Sequence, residues 1–410
     1  MRRLHYGWVI LAIATLIIFG ALGLARFGYT MLLPSMQSAP AQGGLGLSTA
    51  QAGYLATANL FGYLVLAVVG GALASRYGPR VVITAGMFLA GGGMLLTGTA
   101  AGLGAALIWR TITGIGSAAS NVPVMALISS WFSVRRRGLA AGIAVAGSSI
   151  GLMVVGPLVP RILTAYGPSG WRVSWYVLGV ITLIVGVLGW LLLRNHPSEK
   201  GLAPVGSSEH SASTLRVQLQ WGLVYRSRTV WHLALVYAAF GFSYIIYMTF
   251  FTKYLSAEGS YTKEAAGNLF MTMGVVSTLC GVWGIVSDRI GRRWALVIVY
   301  LIHALAYALF ATWRDPVGFT LSAVLFGLVA WSVPAIMAAT CGDIVGPRLA
   351  PAALGFMTLF FGIGQALGPS VAGSMADSAR SFVPAFWLAA GVAAMGAVGA
   401  AFLRPARSSS

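Results

Sequence analysis

Gly71-Ala-Leu-Ala-Ser75-Arg76-Tyr77-Gly78-Pro79-Arg80 and Gly284-Ile-Val-Ser-Asp288-Arg289-Ile-Gly291-Arg292-Arg293 are two versions of one short segment. Each follows one long apolar run and precedes another, so each reads as a basic turn between two buried helices. Two further pairs recur in the same order. Asn121-Val122-Pro123 has a counterpart in Ser332-Val333-Pro334, and Gly156-Pro157 has one in Gly368-Pro369. Repetition at three helix pairs points to a chain built from two related halves.

The repeated unit is a set of membrane helices. Of 410 residues, 58% are hydrophobic and 8% charged, against about 25% charged in a soluble domain. A helix needs about 20 apolar residues to cross a bilayer. Twelve runs meet that need, at 7–34, 50–73, 81–101, 104–132, 138–161, 171–194, 229–252, 265–286, 294–313, 317–340, 351–376 and 382–403. None alternates polar with apolar residues as a barrel strand would. The expected fold is all-α and integral to the membrane, with twelve transmembrane helices in two pseudo-symmetric six-helix bundles. The bundles are expected at 1–194 and 229–410. A cytoplasmic linker at 195–228, with Pro197, Pro204 and many small polar residues, joins them. Within it, the stretch from Leu215 to Trp221 is either plain linker or a segment lying on the inner membrane surface.

The net charge of +18 comes from 26 basic and 8 acidic residues. Its distribution argues against a nucleic-acid partner. With the N-terminus inside, Arg161, Arg172, Lys253, Lys263, Arg314 and Arg380 fall on the outer side and two arginines in the membrane; the rest are inner. The positive-inside rule then puts both termini in the cytoplasm of a multi-pass protein of the inner (plasma) membrane. The first run is too long for a cleaved signal and lacks a small-residue cleavage site, so it is expected to remain as the first helix. Cys280 and Cys341 are expected as free thiols.

The two membrane arginines are Arg26 and Arg110. All eight acids fall in or beside the polar breaks between apolar runs. A charge at a helix centre costs about 2.5–3.5 kcal/mol on insertion scales and usually marks a substrate or ion path. With no carboxylate to answer it, a small anionic substrate is the expected partner of Arg26; the alternative is an arginine snorkelling to the headgroups. Tyr29 and Thr30, at i+3 and i+4, share its face. The repeat aligns Arg26 and Tyr29 with Tyr244 and Tyr247, which belong to an aromatic stripe with Tyr237 and Phe240. Such stripes are usually packing, yet three hydroxyls on one stripe need partners, which a cavity would supply. Asn121 precedes Pro123, whose missing N–H frees a carbonyl to line a cavity. Trp331, beside Pro334, is its counterpart.

The candidate substrate-binding set is therefore Arg26, Tyr29, Asn121, Tyr244, Tyr247 and Trp331. Asn59, Tyr63 and Gln365 are expected chiefly as interhelical hydrogen bonds. Asp288, Arg289, Arg292 and Arg293 are expected to form an inner latch that biases one transport state. Arg110 is expected either in coupling and gating or bonded to backbone carbonyls, and His303 either packed or as a proton relay. No clustered acids, His/Cys ligand spacing or Ser/His pair is present, so an enzyme, a cofactor or a metal site is not expected.

The Gly284–Arg293 segment resembles the loop signature of the major facilitator superfamily, although its first copy carries Ser75 where Asp is usual. Arg110 with Gly114 and Gly116 resembles that superfamily's helix-four motif. Tyr6-Gly7-Trp8-Val9, and Trp131-Phe132 through Arg135-Arg136-Arg137-Gly138 to Ala146-Gly147, resemble the monocarboxylate and oxalate/formate porters. Arg26-Phe27-Gly28-Tyr29-Thr30 with Leu33-Pro34, and Asn59-Leu-Phe-Gly62-Tyr63, look more like the bacterial YbfB/YjiJ group. The resemblance implies the major facilitator fold and a secondary transporter, expected as a monomer, working by rocking of two halves. Monocarboxylate transporters carry an Asp and Arg pair in helix eight, where Val275 to Cys280 has neither. They also carry a cation in helix one, a part Arg26 would take. The expected function is transport of a small organic anion, a carboxylate above all, by proton coupling or anion exchange. The alternative is export of drug-like or amphipathic metabolites.

Overall fold

Backbone polar groups inside a bilayer have no water to bond, so they must bond within their own segment. The computed structural model describes residues 5–206 and 226–403, with side chains except at Val68, Val134 and 345–352. Among the described residues the apolar runs are helical, and the β structure is one isolated bridge between Phe132 and Val205. The Leu215–Trp221 segment and Arg2, Arg3, Arg216, Arg404 and Arg407 lie outside the described residues, as does the Arg348 side chain. Ten helical stretches are long and apolar enough to cross a membrane, or eleven if Thr49–Ala67 and Val69–Tyr77, bent by 51°, form one span. The chain is thus a multi-pass membrane protein.

Its contacts group it into two compact units, Met1–Leu47 with Ala58–Thr214, and Ser48–Thr57 with Leu215–Ser410. In the first unit, α1 (Tyr6–Ile18) passes into a π-helical segment, Phe19–Phe27, and then into α2 (Gly28–Gln37). The others are α3 (Thr49–Tyr77), α4 (Pro79–Gly98), α5 (Leu103–Trp131), α6 (Val134–Tyr166) and α7 (Gly170–Leu192). Small residues let these backbones meet, as membrane helices lacking a hydrophobic drive require. A Cβ on Gly23, in the π segment, would lie 2.6 Å from the Gly151 Cα of α6.

The second unit holds the first turns of α3 and then α8 (Arg228–Ala257), α9 (Lys263–Ser277), α10 (Val282–Ile290), α11 (Arg292–Thr312), α12 (Pro316–Val329), α13 (Ser332–Ala379) and α14 (Val383–Ala401). Its core is aromatic. Tyr247 of α8 packs on Phe310, Phe326 and Phe386, with ring centroids 4.8, 4.7 and 6.1 Å away. Asp377 binds the start of α3, its two carboxylate oxygens accepting from the Thr49 and Ala50 N–H groups at 2.9 and 2.8 Å.

Two expectations change. The run at 265–286 is not one regular helix: a 3₁₀ turn, Thr278–Gly281, separates α9 from α10. There the Cys280 thiol donates to Gly327 O at 3.1 Å, giving a buried polar group a partner at the break. The polar break expected between 340 and 351 is helical, because α13 runs unbroken across it. Pro347 and Pro351 remove N–H donors, which bends a helix without having to end it. Asp343 and Asp377 therefore sit within a helix.

Candidate functional site

Arg26 lies in the π-helical segment, a conformation found mostly as short bulges and often at functional sites. Arg26 is 9% exposed, too buried for a guanidinium snorkelling into headgroups. Its Cζ lies 4.4 Å above the centre of the Tyr63 ring. Its Nε and Nη2 are buried with no hydrogen-bond partner among the described residues. The sequence contains no Asp or Glu before Glu199. None of α1–α7 therefore carries a side-chain carboxylate that could neutralise the charge.

Arg110 of α5 is next to it and is used differently. It is 1% exposed. Its Nη1 donates to Ala25 O at 2.8 Å, on the residue adjoining Arg26. Its Cζ lies 4.9 Å from the Tyr29 ring centre and 5.1 Å from that of Trp175. Cation–π contact of this kind stabilises a desolvated guanidinium by about 2 kcal/mol or more. Arg110 thus makes a bond to a backbone carbonyl of a neighbouring helix, and Tyr29 serves as one of its aromatic faces. Trp175 has no signal in the sequence, since tryptophans line many membrane helices for packing alone.

Two side chains complete the arrangement. Asn121 Nδ2 donates to the Tyr63 hydroxyl at 2.7 Å, and Asn59 Nδ2 donates to Arg110 O at 3.2 Å. Asn59 and Tyr63 are one turn apart on α3 and so share a face. Arg26, Tyr63 and Asn121 thus form a connected row within the first unit.

In the second unit, Tyr244 receives a hydrogen bond from the Gln365 amide. Its ring stacks on Phe240, with centroids 4.8 Å apart, and meets Trp331 edge-on at 6.5 Å. Tyr247 is wholly buried in the aromatic core. Ser322 Oγ donates to Ala306 O at 2.7 Å and lies 2.8 Å from the Tyr247 hydroxyl, so the tyrosine is the donor in that contact. His303 bonds Val299 O through Nδ1 at 2.9 Å, leaving a buried Nε2 without a partner among the described residues. Its neighbours are rings, with Phe240 at 5.4 Å and Phe326 at 5.6 Å.

The four residues expected to form an inner latch divide in their contacts. Arg292 bridges two acids, with Nη1 2.5 Å from Asp288 and Nε 3.1 Å from Asp343, and also donates to Ser287 Oγ at 2.6 Å. Arg293 lies over the Trp294 ring at 5.0 Å, and Arg289 is exposed. Asp343 was missed because the apolar pattern leaves it in a break, whereas α13 carries it on a helical turn. Among the described residues no three His, Cys, Asp or Glu side chains converge to hold a metal.

The chain is similar to known proteins in sequence and in fold. The family model described as "Uncharacterised MFS-type transporter YbfB" matches residues 18–401. The chain is 26% identical to the "Probable sulfoacetate transporter SauU" of Cupriavidus necator, covering 88% of this chain and 86% of that one. It is 26% identical to the "Hexuronate transporter" of Bacillus subtilis, covering 89% and 88%. Human "Monocarboxylate transporter 2" is 25% identical, covering 75% and 68%. Among solved structures, a bacterial homologue of the human lysosomal transporter Spinster superposes with a TM-score of 0.74 at 18% identity, covering 98% and 96%, which establishes a shared fold.

Proposed function

Because the chain belongs to the YbfB-type family of major facilitator transporters, we propose that it is a twelve-helix secondary transporter carrying a small organic anion, a carboxylate above all. Taking the 58-residue stretch Arg135–Leu192 as two spans and the bent pair as one supports that number. The bundles are 1–194 and 229–410, joined at 195–228, with both termini cytoplasmic in the plasma membrane and the monomer as the working form. The observation that carries the substrate class is the buried Arg26 guanidinium, with Nε and Nη2 unsatisfied and no acid in its bundle's helices. A carboxylate accepts two parallel bonds from such a fork. Sulfoacetate, hexuronates and monocarboxylates, for which the relatives are named, all bear an anionic group.

In this reading Asn121 and Tyr63 orient the ligand beside Arg26, and Tyr244 and Trp331 are proposed as substrate-binding residues of the second unit. Tyr29 acts through Arg110, which holds the backbone beside Arg26. Tyr247 contributes packing. The Asp288–Arg292–Asp343 bridge is the inner latch. Without a titrating carboxylate near Arg26, the loaded site is closer to neutral than the empty one and reorients more readily. That favours anion exchange or electroneutral cotransport, with the proton carried on the substrate or on Nε2 of His303.

The test is uptake of labelled carboxylates into proteoliposomes by wild type and Arg26→Gln, with gel filtration as the folding control. Loss of uptake in a folded variant supports the anchor role, and retained uptake refutes it. A second reading, export of drug-like or amphipathic metabolites, is favoured by the aromatic character of α8 and its neighbours, as in the nearly parallel rings of Tyr237 and Phe361, 4.5 Å apart. In a competition panel, displacement of label by lipophilic cations rather than by carboxylates would select it.

A further inference from the structure

Where α8 begins, Arg226, Arg228, Trp231, His232 and Leu235 line an open cavity of about 580 Å³. Arg228, Trp231, His232 and Leu235 stand at i, i+3, i+4 and i+7, which is one face of a helix. Along that face the chemistry changes from cationic to aromatic to aliphatic. Arg226 and Arg228 are exposed, and neither has an ion pair among the described residues. Trp231 is 42% and Leu235 60% exposed on a helix apolar enough to span the membrane. Phe356 and Phe360 brace the Trp231 ring edge-on at 5.0 and 5.3 Å, and His232 Nε2 lies 2.9 Å from Gly399 O. The face is therefore held in shape by its neighbours.

We propose that this face binds an anionic phospholipid, its phosphate between Arg226 and Arg228 and its acyl chain along Trp231 and Leu235. Guanidinium groups match phosphate oxygens in pairs. Tryptophan prefers the depth where headgroup gives way to hydrocarbon. From Arg228 to Leu235 the helix rises about 10 Å, which takes a bound molecule from the headgroup layer into the chains. Free phosphate would use only the arginines. The apolar continuation is what selects a lipid. None of these residues belongs to the Arg26 site, so the inference does not depend on the transported substrate.

The experiment uses the full chain in nanodiscs of phosphatidylcholine doped with phosphatidylglycerol or cardiolipin, reading bound lipid by native mass spectrometry. Saturable binding of the anionic lipid that weakens with salt is expected. Each arginine near a membrane surface contributes about 1 kcal/mol, so Arg226→Gln with Arg228→Gln should weaken binding about thirtyfold. Trp231→Ala should weaken lipid binding without creating competition by phosphate. Equal affinity in the double variant, salt-independent binding by wild type, or displacement of the lipid by millimolar inorganic phosphate would each overturn the proposal.

Discussion

Replacing Gly151 by alanine tests whether the crossing of α6 with the π-helical segment sets the position of Arg26. A Cβ at residue 151 would fall 2.9 Å from the Gly23 carbonyl carbon and closer still to its Cα. Carbon pairs rest at about 3.5–4.0 Å, so the two backbones must part by roughly 1 Å or more. Both partners are main chain, so no rotamer can absorb the strain. Overpacking of this kind costs about 1–3 kcal/mol. Gly142 lies on the same helix with nothing within 4 Å of its Cβ direction. Alanine there gains the same helix propensity, about 1 kcal/mol relative to glycine, without the clash. The difference between the two variants isolates the packing penalty. Gly151→Ala should melt at a lower temperature than Gly142→Ala and lose transport. Matching melting curves and uptake in the two variants would refute the reasoning.

Other consequences follow from single contacts. Asp377→Ala removes both acceptors from the Thr49 and Ala50 N–H groups at the start of α3, and loss of such a cap costs about 0.5–2 kcal/mol, readable as a lower melting temperature. Arg292→Ala frees Asp288 and Asp343, which are substantially exposed; exposed pairs contribute only about 0–1 kcal/mol each, so turnover should change while the melting temperature stays close to wild type. The backbone N–H of Gly318, aided by the Trp313 indole, holds the Asp315 carboxyl below the usual carboxylate range. Its stabilising effect is present above the unfolded pKa and fades as the pH falls through the lower folded value. Asp315→Asn should flatten that acid limb in unfolding measured against pH.

The helices were readable because a bilayer demands long apolar runs, and the glycines that end α3 and α10 were readable from the repeated turn. Gly78 and Gly291 occupy positive φ, +84° and +88°, as glycine allows at little cost. Asn59, Tyr63 and Asn121 are legible as polar groups in apolar helices, and Tyr63 does make an interhelical bond, with Asn121; that its ring also lies beneath Arg26 is not readable from spacing. The π-helical turn was not readable. Hydrophobic patterning reports which face is buried and changes little when a few residues widen by a fraction of a turn. The continuity of α13 was hidden by its prolines and by Asp343, which mark a break in composition without enforcing one in the backbone. The pairing of Arg110 with Trp175 joins α5 to α7, a separation over which spacing carries no information.

Direct binding to Arg26 tests the account most closely. Isothermal titration of a transported carboxylate into wild type and into folded Arg26→Gln should give a saturable isotherm in the first and none in the second. Binding of equal strength in both would contradict it.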